Sequence, residues 1–180
     1  MSPATFPDLL YPLSFMRSAR GLPKLNYEKV EASEVPEPYQ TLLVHEGDMT
    51  SRLEAYHESK QIVKAIRSSN SENKYFREVI LESKESGKAT EYGAIEIQLD
   101  TLPEEVCEKI IEAKQPLGGI LNDYRIPYGS SPRGYLRVVP DGPIVEAFEE
   151  VEADHLFGRS NQITGFNQEV IARIVEILPA

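Results

Sequence analysis

Apolar and polar residues alternate with a period of two in several short segments of the chain, a pattern typical of half-buried β-strands. Turn-forming residues separate the first long segments, which indicates a meander of neighbouring strands. Apolar residues at helical spacing follow Asp48 and Pro103, two residues suited to the start of a helix. Strands are predicted at residues 41–44, 62–66, 75–81, 92–99, 134–139 and 169–178, and helices at 48–58 and from 103 onward.

The order of these elements indicates an α+β fold, because strands and helices do not alternate strictly along the chain. The sequence predicts a single domain built on an antiparallel β-sheet with flanking helices, which suits a chain of 180 residues. The first forty residues contain prolines at positions 3, 7, 12, 23, 36 and 38 and show no sustained period. We therefore predict an irregular proline-rich lead-in at 1–40 and the folded domain at 41–180.

Two charged residues of opposite sign lie where the alternation points side chains into the apolar interior. Arg77 shares a face with the apolar residues of the strand 75–81, and Glu176 shares one with those of the strand 169–178. Burying an unpaired ion is costly, so each charge needs a protein partner, solvent or a ligand. Either the two residues pair with each other or reach water, or they lie at the two ends of a closed pocket for a compact acid that carries a hydroxyl.

The overall composition narrows the classes of function. A net charge of −10 and a pI near 4.9 disfavour binding to nucleic acid or to an anionic membrane surface. The one cysteine, Cys107, cannot form an internal disulfide, which suits a reducing cytoplasm. Prolines interrupt the apolar segment 6–16 and no basic residue precedes it, so we expect neither export nor a membrane span.

Recognisable catalytic and cofactor motifs are missing from the sequence. The three histidines lack a metal-ligand spacing, and no nucleophile elbow or phosphate-binding glycine loop occurs, so we expect no metal and no cofactor. Two segments could present backbone N–H groups to an anion: the helix start at 47–50 and the glycine-containing turn at 115–121. Each segment fits an ordinary helix boundary equally well.

Four segments, taken together, resemble the chorismate lyases, which split chorismate into 4-hydroxybenzoate and pyruvate. The segments 48–54, 76–81, 115–118 and 175–179 occur in the order and approximate spacing of that family, and the resemblance covers residues 41–179. It implies a single α+β domain of chorismate lyase-like fold, with the ligand enclosed beneath helical flaps. It also implies a carbon-oxygen lyase that needs no cofactor and serves aromatic-acid or quinone biosynthesis.

The resemblance assigns roles to residues of these motifs. Arg77 matches the arginine that holds the ring carboxylate, Glu176 the glutamate at the hydroxyl end, and Leu117 the residue whose backbone N–H assists. Elimination from a ring poised to become aromatic needs little beyond positioning and charge placement, with Glu176 orienting the hydroxyl end and helping to move the proton. The predicted site comprises the catalytic residues Arg77 and Glu176 and the substrate-binding residues Met49, Thr50, Leu117 and Gly118.

Some points stay open at the level of sequence. Arg133, Arg137 or Arg159 could hold the enolpyruvyl carboxylate, and the acidic stretch 146–154 is either a solvated connection or a flap. The expected partners are the small-molecule substrate and product, without nucleic acid or membrane, and a monomer is the default state.

Two alternatives compete with the lyase. One is a non-catalytic sensor or carrier of an aromatic acid, since the effector-binding domains of some bacterial transcription regulators share a related fold. Such regulators need a basic DNA-binding domain, which the first forty residues are not expected to supply. The other is a relative that acts on another cyclic carboxylate.

Overall fold

Seven antiparallel strands form one sheet in the computed structural model, which describes residues 8–179. The strands lie side by side in the order β1-β5-β6-β7-β4-β3-β2. They are β1 (Tyr27–Val30), β2 (Gln61–Ser71), β3 (Lys74–Ser83), β4 (Ala89–Gln98), β5 (Tyr128–Val138), β6 (Leu156–Gly165) and β7 (Val170–Leu178). The predicted α+β class, with a single domain and an antiparallel sheet, is confirmed.

Six short α-helices flank this sheet within residues 8–179. They are α1 (Leu13–Ala19), α2 (Tyr39–Leu43), α3 (Met49–His57), α4 (Glu104–Ile111), α5 (Leu117–Asp123) and α6 (Gly142–Phe148). The predicted starts of two of them are confirmed: Asp48 caps α3 by accepting a hydrogen bond from the Ser51 N–H, and Pro103 precedes α4. In the part of the chain described here, no helix is both long and apolar enough to cross a bilayer.

Two local predictions in this part of the chain differ from the structure. The apolar run at 41–44 belongs to helix α2 instead of a strand, because its buried residues recur with Tyr39 at helical spacing. Strand β2 continues through the polar residues that we predicted as a turn, and the turn lies at 72–73. This continuation is possible because β2 is an edge strand, where backbone pairing with β3 suffices and polar side chains stay in water.

Both faces of the sheet are covered, whereas the alternation of residues indicated half-buried strands. Helices α2 to α5 pack on the face that carries Arg77, and α1 and α6 pack on the other. Helix α1 and strand β1 both lie within the segment predicted to be irregular, and β1 pairs with β5 at the edge of the sheet. Residues 1–7 of that segment lie outside the described residues, and the domain boundary at residue 40 stays a prediction.

Strand β6 was not predicted at all. Its inward positions carry polar residues, Arg159 and Asn161, between Phe157 and Ile163, so the apolar alternation that marks a buried strand is broken. This strand nevertheless lies between β5 and β7 near the middle of the sheet. The polar residues are therefore placed in the interior, next to the site described below.

Candidate ligand site

Strand register places the predicted site residues in neighbouring rows across one face of the sheet. In the first row Arg77 on β3 lies beside Ile95 on β4, then Ile174 on β7 and Asn161 on β6. Side chains in such a row point to the same side of the sheet. Arg77 and Asn161 therefore face the same space from its two ends, with two isoleucines as the floor between them.

The second row contains the other charged residues of the site and a gap in the side-chain layer. It runs from Val79 on β3 through Gly93 on β4 to Glu176 on β7 and Arg159 on β6. Gly93 contributes no side chain, and a Cβ added there would collide with the carbonyl oxygen of a residue on β7. The close approach of β4 and β7 thus requires glycine, and its missing side chain leaves a hollow in the sheet surface.

A cavity of about 50 Å³ lies over these two rows of the sheet. The starts of α3 and α5 form its roof, and strands β3, β4, β6 and β7 form its floor. A Cβ on Gly118 would lie 3.0 Å from the Asp48 Oδ2 atom, so the two helix starts pack closely over the cavity. All six residues predicted for the site from sequence line it: Met49, Thr50, Arg77, Leu117, Gly118 and Glu176.

The guanidinium of Arg77 is buried in this cavity wall, with 2% of the residue exposed. Its Nη1 and Nη2 atoms donate hydrogen bonds to the backbone carbonyls of Ile110 (3.4 Å) and Gln115 (3.0 Å), and its Nε has no partner. Among residues 8–179 no carboxylate lies within ion-pair distance of it. Burial lowers the pKa of Arg77, in keeping with a cation that lacks a counter-charge.

Glu176 pairs with Arg159 instead of with Arg77. The Arg159 Nε donates to the Glu176 Oε2 atom at 2.8 Å, and both side chains are buried. Arg159 also donates to the backbone carbonyls of His45 (2.9 Å) and Gly47 (3.3 Å), just before α3. This ion pair therefore ties β6, β7 and the start of the roof together.

The three arginines that the sequence offered for the enolpyruvyl carboxylate lie in different surroundings. Arg159 lies at the site but is already paired. Arg137 pairs with Glu28 at the surface, and Arg133 is half-buried outside the cavity.

Burial, together with the positive charges of Arg159 and Arg52, lowers the pKa of His45 to about 4, so this imidazole is neutral beside the roof.

Sequence reasoning missed Glu91, a second carboxyl group in the cavity wall. It is 6% exposed, and its Oε1 atom has no hydrogen-bond partner within the described residues. Burial raises the pKa of Glu91 well above its usual range, and the negative charge of Glu176 raises it further, whereas Arg159 opposes the shift. The signal existed, because Glu91 precedes Gly93 by two residues and so shares its face of β4.

Asn161 was missed as well. Its Nδ2 donates to the Ser130 Oγ atom at 2.8 Å, and its Oδ1 has no partner among the described residues. The cavity thus contains one unpaired cationic nitrogen and two unpaired oxygens. Buried polar groups without partners are rare and costly, and such groups around one cavity suit a polar ligand. Within residues 8–179 no cluster of three or more potential ligand side chains could hold a metal ion.

Solved structures with this fold include an effector domain and a possible transcriptional regulator. PhnF from Mycobacterium smegmatis superimposes with a TM-score of 0.54 and 8% identity, over 75% of this chain and 64% of that chain. The effector domain of PhnF alone gives a TM-score of 0.54 with 9% identity, covering 73% and 88% of the two chains. The possible transcriptional regulator YydK from Bacillus subtilis gives 0.50 with 10% identity, covering 66% and 58%.

These likenesses show a shared fold and no more, because the identities are low. This chain spans 64% of the PhnF chain and 58% of the YydK chain. The fold is the chorismate lyase-like one of the C-terminal domains of GntR-family regulators. No protein-family model matches the sequence, and no curated protein matches it significantly.

The predicted membership of the chorismate lyase family is wrong, and so are the lyase activity and the place in quinone biosynthesis. The structural neighbours are effector domains and regulators instead of lyases. The prediction of a small-molecule partner agrees with these neighbours in part, whereas chorismate and 4-hydroxybenzoate are not supported.

Proposed function

We propose that this chain is a ligand-binding domain of the effector type, which senses a small anionic molecule without converting it. The observation that carries the proposal is the buried guanidinium of Arg77, which has an unpaired Nε and no carboxylate partner within residues 8–179. The fold shared with the effector domain of PhnF supports a sensing role. A cytoplasmic location is part of the proposal.

The anion is expected because the protein itself leaves the charge of Arg77 uncompensated. An isolated buried cation costs several kcal/mol, on the order of the whole stability of a small domain, unless another group offsets it. A ligand carboxylate, phosphate or sulfonate would supply the missing charge and accept a charge-assisted hydrogen bond from the guanidinium.

Sensing requires that occupancy changes the shape of the domain. The cavity of about 50 Å³ holds little more than one or two water molecules, since a water occupies about 30 Å³. Any larger ligand displaces the roof, where α3 and α5 pack on each other and on the sheet. We therefore expect binding to move these two helix starts, and this movement is the signal that a sensor needs.

A binding experiment with one charge removed tests the proposal. Binding of propionate, lactate, phenylacetate, mandelate and inorganic phosphate is measured by calorimetry for the wild type and for Arg77→Met. The control is Arg137→Met, which removes a surface arginine of the same sheet. We expect at least one anion to bind the wild type, and Arg77→Met to weaken it by roughly 10- to 100-fold, as for the loss of a charged hydrogen bond. Arg137→Met should bind like the wild type.

Stability distinguishes a lost ligand contact from a damaged fold. Arg77→Met should be at least as stable as the wild type, because it removes an uncompensated buried charge and no protein carboxylate loses its partner. Anions that bind equally well to wild type and Arg77→Met, or that fail to bind the wild type at all, would contradict the proposal.

A further inference from the structure

A second cavity, of about 330 Å³, lies beside helix α1 and shares no lining residue with the candidate ligand site. Residues of α1 form one wall, and residues 22–25 with Tyr27 of β1 form the other. The chain turns back along α1 because the Leu22 N–H donates to the Arg17 carbonyl at 3.0 Å. This second cavity is much larger than the one of about 50 Å³ beneath α3 and α5.

Side-chain hydrogen bonds join the two walls of the second cavity. Asp8 accepts from the Ser14 hydroxyl of α1 at 2.6 Å and from the Tyr27 hydroxyl of β1 at 3.4 Å. The Arg17 Nη2 atom of α1 donates to the carbonyl of Pro23 at 3.4 Å. The cavity is therefore bounded by several contacts between α1 and the chain that follows it.

The lining of the second cavity changes from buried apolar residues to exposed polar ones. Leu10 and Leu25 are 4% and 7% exposed and belong to the core beneath α1. Ser18 and Lys24 are exposed and line the cavity as well. The cavity thus combines an apolar interior with a polar mouth, as is common in sites for small molecules.

The polar mouth carries one positive charge without a counter-charge. Lys24 forms no ion pair among residues 8–179. The charge of Arg17 is compensated by its ion pair with Asp141, but its Nε has no hydrogen-bond partner in the described part of the chain. The bond from Arg17 to the Pro23 carbonyl brings the backbone of the next residue, Lys24, beside the guanidinium. This side of the cavity therefore offers unused donors and a free cation.

The one carboxylate in the lining, Asp8, is already occupied. Besides the hydroxyls of Ser14 and Tyr27, it accepts a hydrogen bond from the Leu10 N–H at 3.0 Å. A ligand that donates hydrogen bonds finds little free capacity there, whereas one that accepts them finds Lys24. The lining is therefore complementary to an anionic acceptor attached to an apolar body.

We propose that the cavity beside α1 is a second binding site, which takes small carboxylic acids with an apolar body. The carboxylate lies at Lys24, and the hydrocarbon packs on Leu10 and Leu25. Burial of the hydrocarbon provides most of the affinity, and the charged group stays near water, where its desolvation is cheap. This inference goes beyond the proposed function, because it concerns another cavity and another class of ligand.

A series of ligands of one shape tests the class. Binding of butyrate, hexanoate, octanoate, 1-octanol and octylammonium to the full chain is measured by calorimetry. The affinity should rise from butyrate to octanoate by up to about fourfold per added methylene, as expected for burial of hydrocarbon. Octanol should bind about two- to fivefold more weakly than octanoate, and octylammonium more weakly still, because Lys24 is a cation.

Two pairs of variants test the place of binding. Ser18→Trp puts a large side chain into the cavity and should weaken octanoate more than tenfold, whereas Ala19→Trp alters the next exposed residue of α1 and should bind like the wild type. Lys24→Met should lower the affinity for octanoate to that for octanol, whereas Lys29→Met, which removes an exposed lysine outside the cavity, should not. If Ser18→Trp fails to fold, the comparison of the two lysine variants decides the matter.

The second site stands or falls separately from the first. Octanoate that does not bind, or that binds no better than butyrate, would overturn the inference. Octanoate binding that is lost in Arg77→Met and retained in Ser18→Trp would belong to the cavity beneath α3 and α5, and would overturn it too. Equal affinities for octanoate and octylammonium would remove the role of Lys24 and contradict the proposed ligand class.

Discussion

The face of the sheet beneath α1 pairs its buried carboxylates, whereas the face beneath α3 and α5 leaves polar atoms unpaired. Under α1, Glu78 is fully buried and accepts hydrogen bonds from the Arg20 Nε (2.8 Å) and Nη2 (2.7 Å) atoms and from the Tyr92 hydroxyl. Glu96, also buried, accepts from Arg173 at 3.0 Å and from the hydroxyl of Tyr11. These contacts hold α1 and its flanking residues on the sheet.

Arg77 and Glu78 are neighbours in sequence and equally buried, and yet they differ in what surrounds them. Glu78 has a cation and a hydroxyl, whereas Arg77 donates to two backbone carbonyls and has no carboxylate partner among residues 8–179. Arg17 on the α1 face also keeps one unpaired nitrogen, but it pairs with Asp141. Buried charge by itself therefore does not indicate a ligand site. A buried charge without a counter-charge does, when it borders a cavity.

The largest expected effect tests the one strong ion pair on the cavity face. Arg159→Met removes the cation of Glu176, leaves two carboxyl groups together and frees the carbonyls of His45 and Gly47. We expect a loss of about 3–5 kcal/mol in the free energy of unfolding, measured by urea denaturation. Arg173→Met, which removes a half-exposed partner of Glu96, is the control and should cost less. Equal losses in the two variants would remove the distinction between the faces.

A smaller effect is expected where the α1 face loses a carboxylate. Glu78→Leu should lower the free energy of unfolding by about 2–3 kcal/mol, because Tyr92 and Arg20 lose their acceptor, although Arg20 can turn to water. The adjacent Arg77→Met should not lower it, because it removes a buried charge that has no carboxylate partner among residues 8–179. Denaturation of both variants under one condition checks the contrast, and a greater loss in Arg77→Met would reverse it.

The smallest effect depends on pH and concerns Glu91. Because its pKa is raised in the folded state, the folded protein holds a proton that the unfolded chain releases above about pH 4.5. Stability should therefore fall as pH rises through that window, until Glu91 ionises in the folded state too. Glu91→Gln lacks this slope. Denaturation of wild type and variant from pH 4.5 to 8 measures the difference, and parallel curves would mean that Glu91 is not protonated.

The alternation of residues was enough to find two members of the site but not the rest. Arg77 and Glu176 interrupt otherwise apolar strand faces, so their position is visible in the sequence. Glu91 was missed because the predicted strand began one residue after it, at Tyr92. Asn161 was missed because β6 has too few apolar inward residues to be recognised as a strand.

The counter-charges could not be predicted, since they depend on contacts between distant parts of the chain. Glu78 follows Arg77 directly, so alternation puts it on the other face of the strand, and the sequence does not show what covers that face. Its partner Arg20 comes from the proline-interrupted segment that showed no period, 58 residues away. The ordered motifs predicted the fold correctly but not the activity, because they build the roof and floor of the cavity whatever the domain does with its ligand.

The closely packed roof also has a consequence for rates. Arg77 holds the chain just before α5 through the Gln115 carbonyl, and Gly118 packs against Asp48. Because the cavity is small, a larger ligand must displace these helix starts to enter fully. Entry is then limited by how often the protein opens, and the association rate levels off as ligand concentration rises. Release is limited by the same step. A captured molecule would remain for as long as the roof stays closed, and the domain would respond slowly to a fall in its concentration.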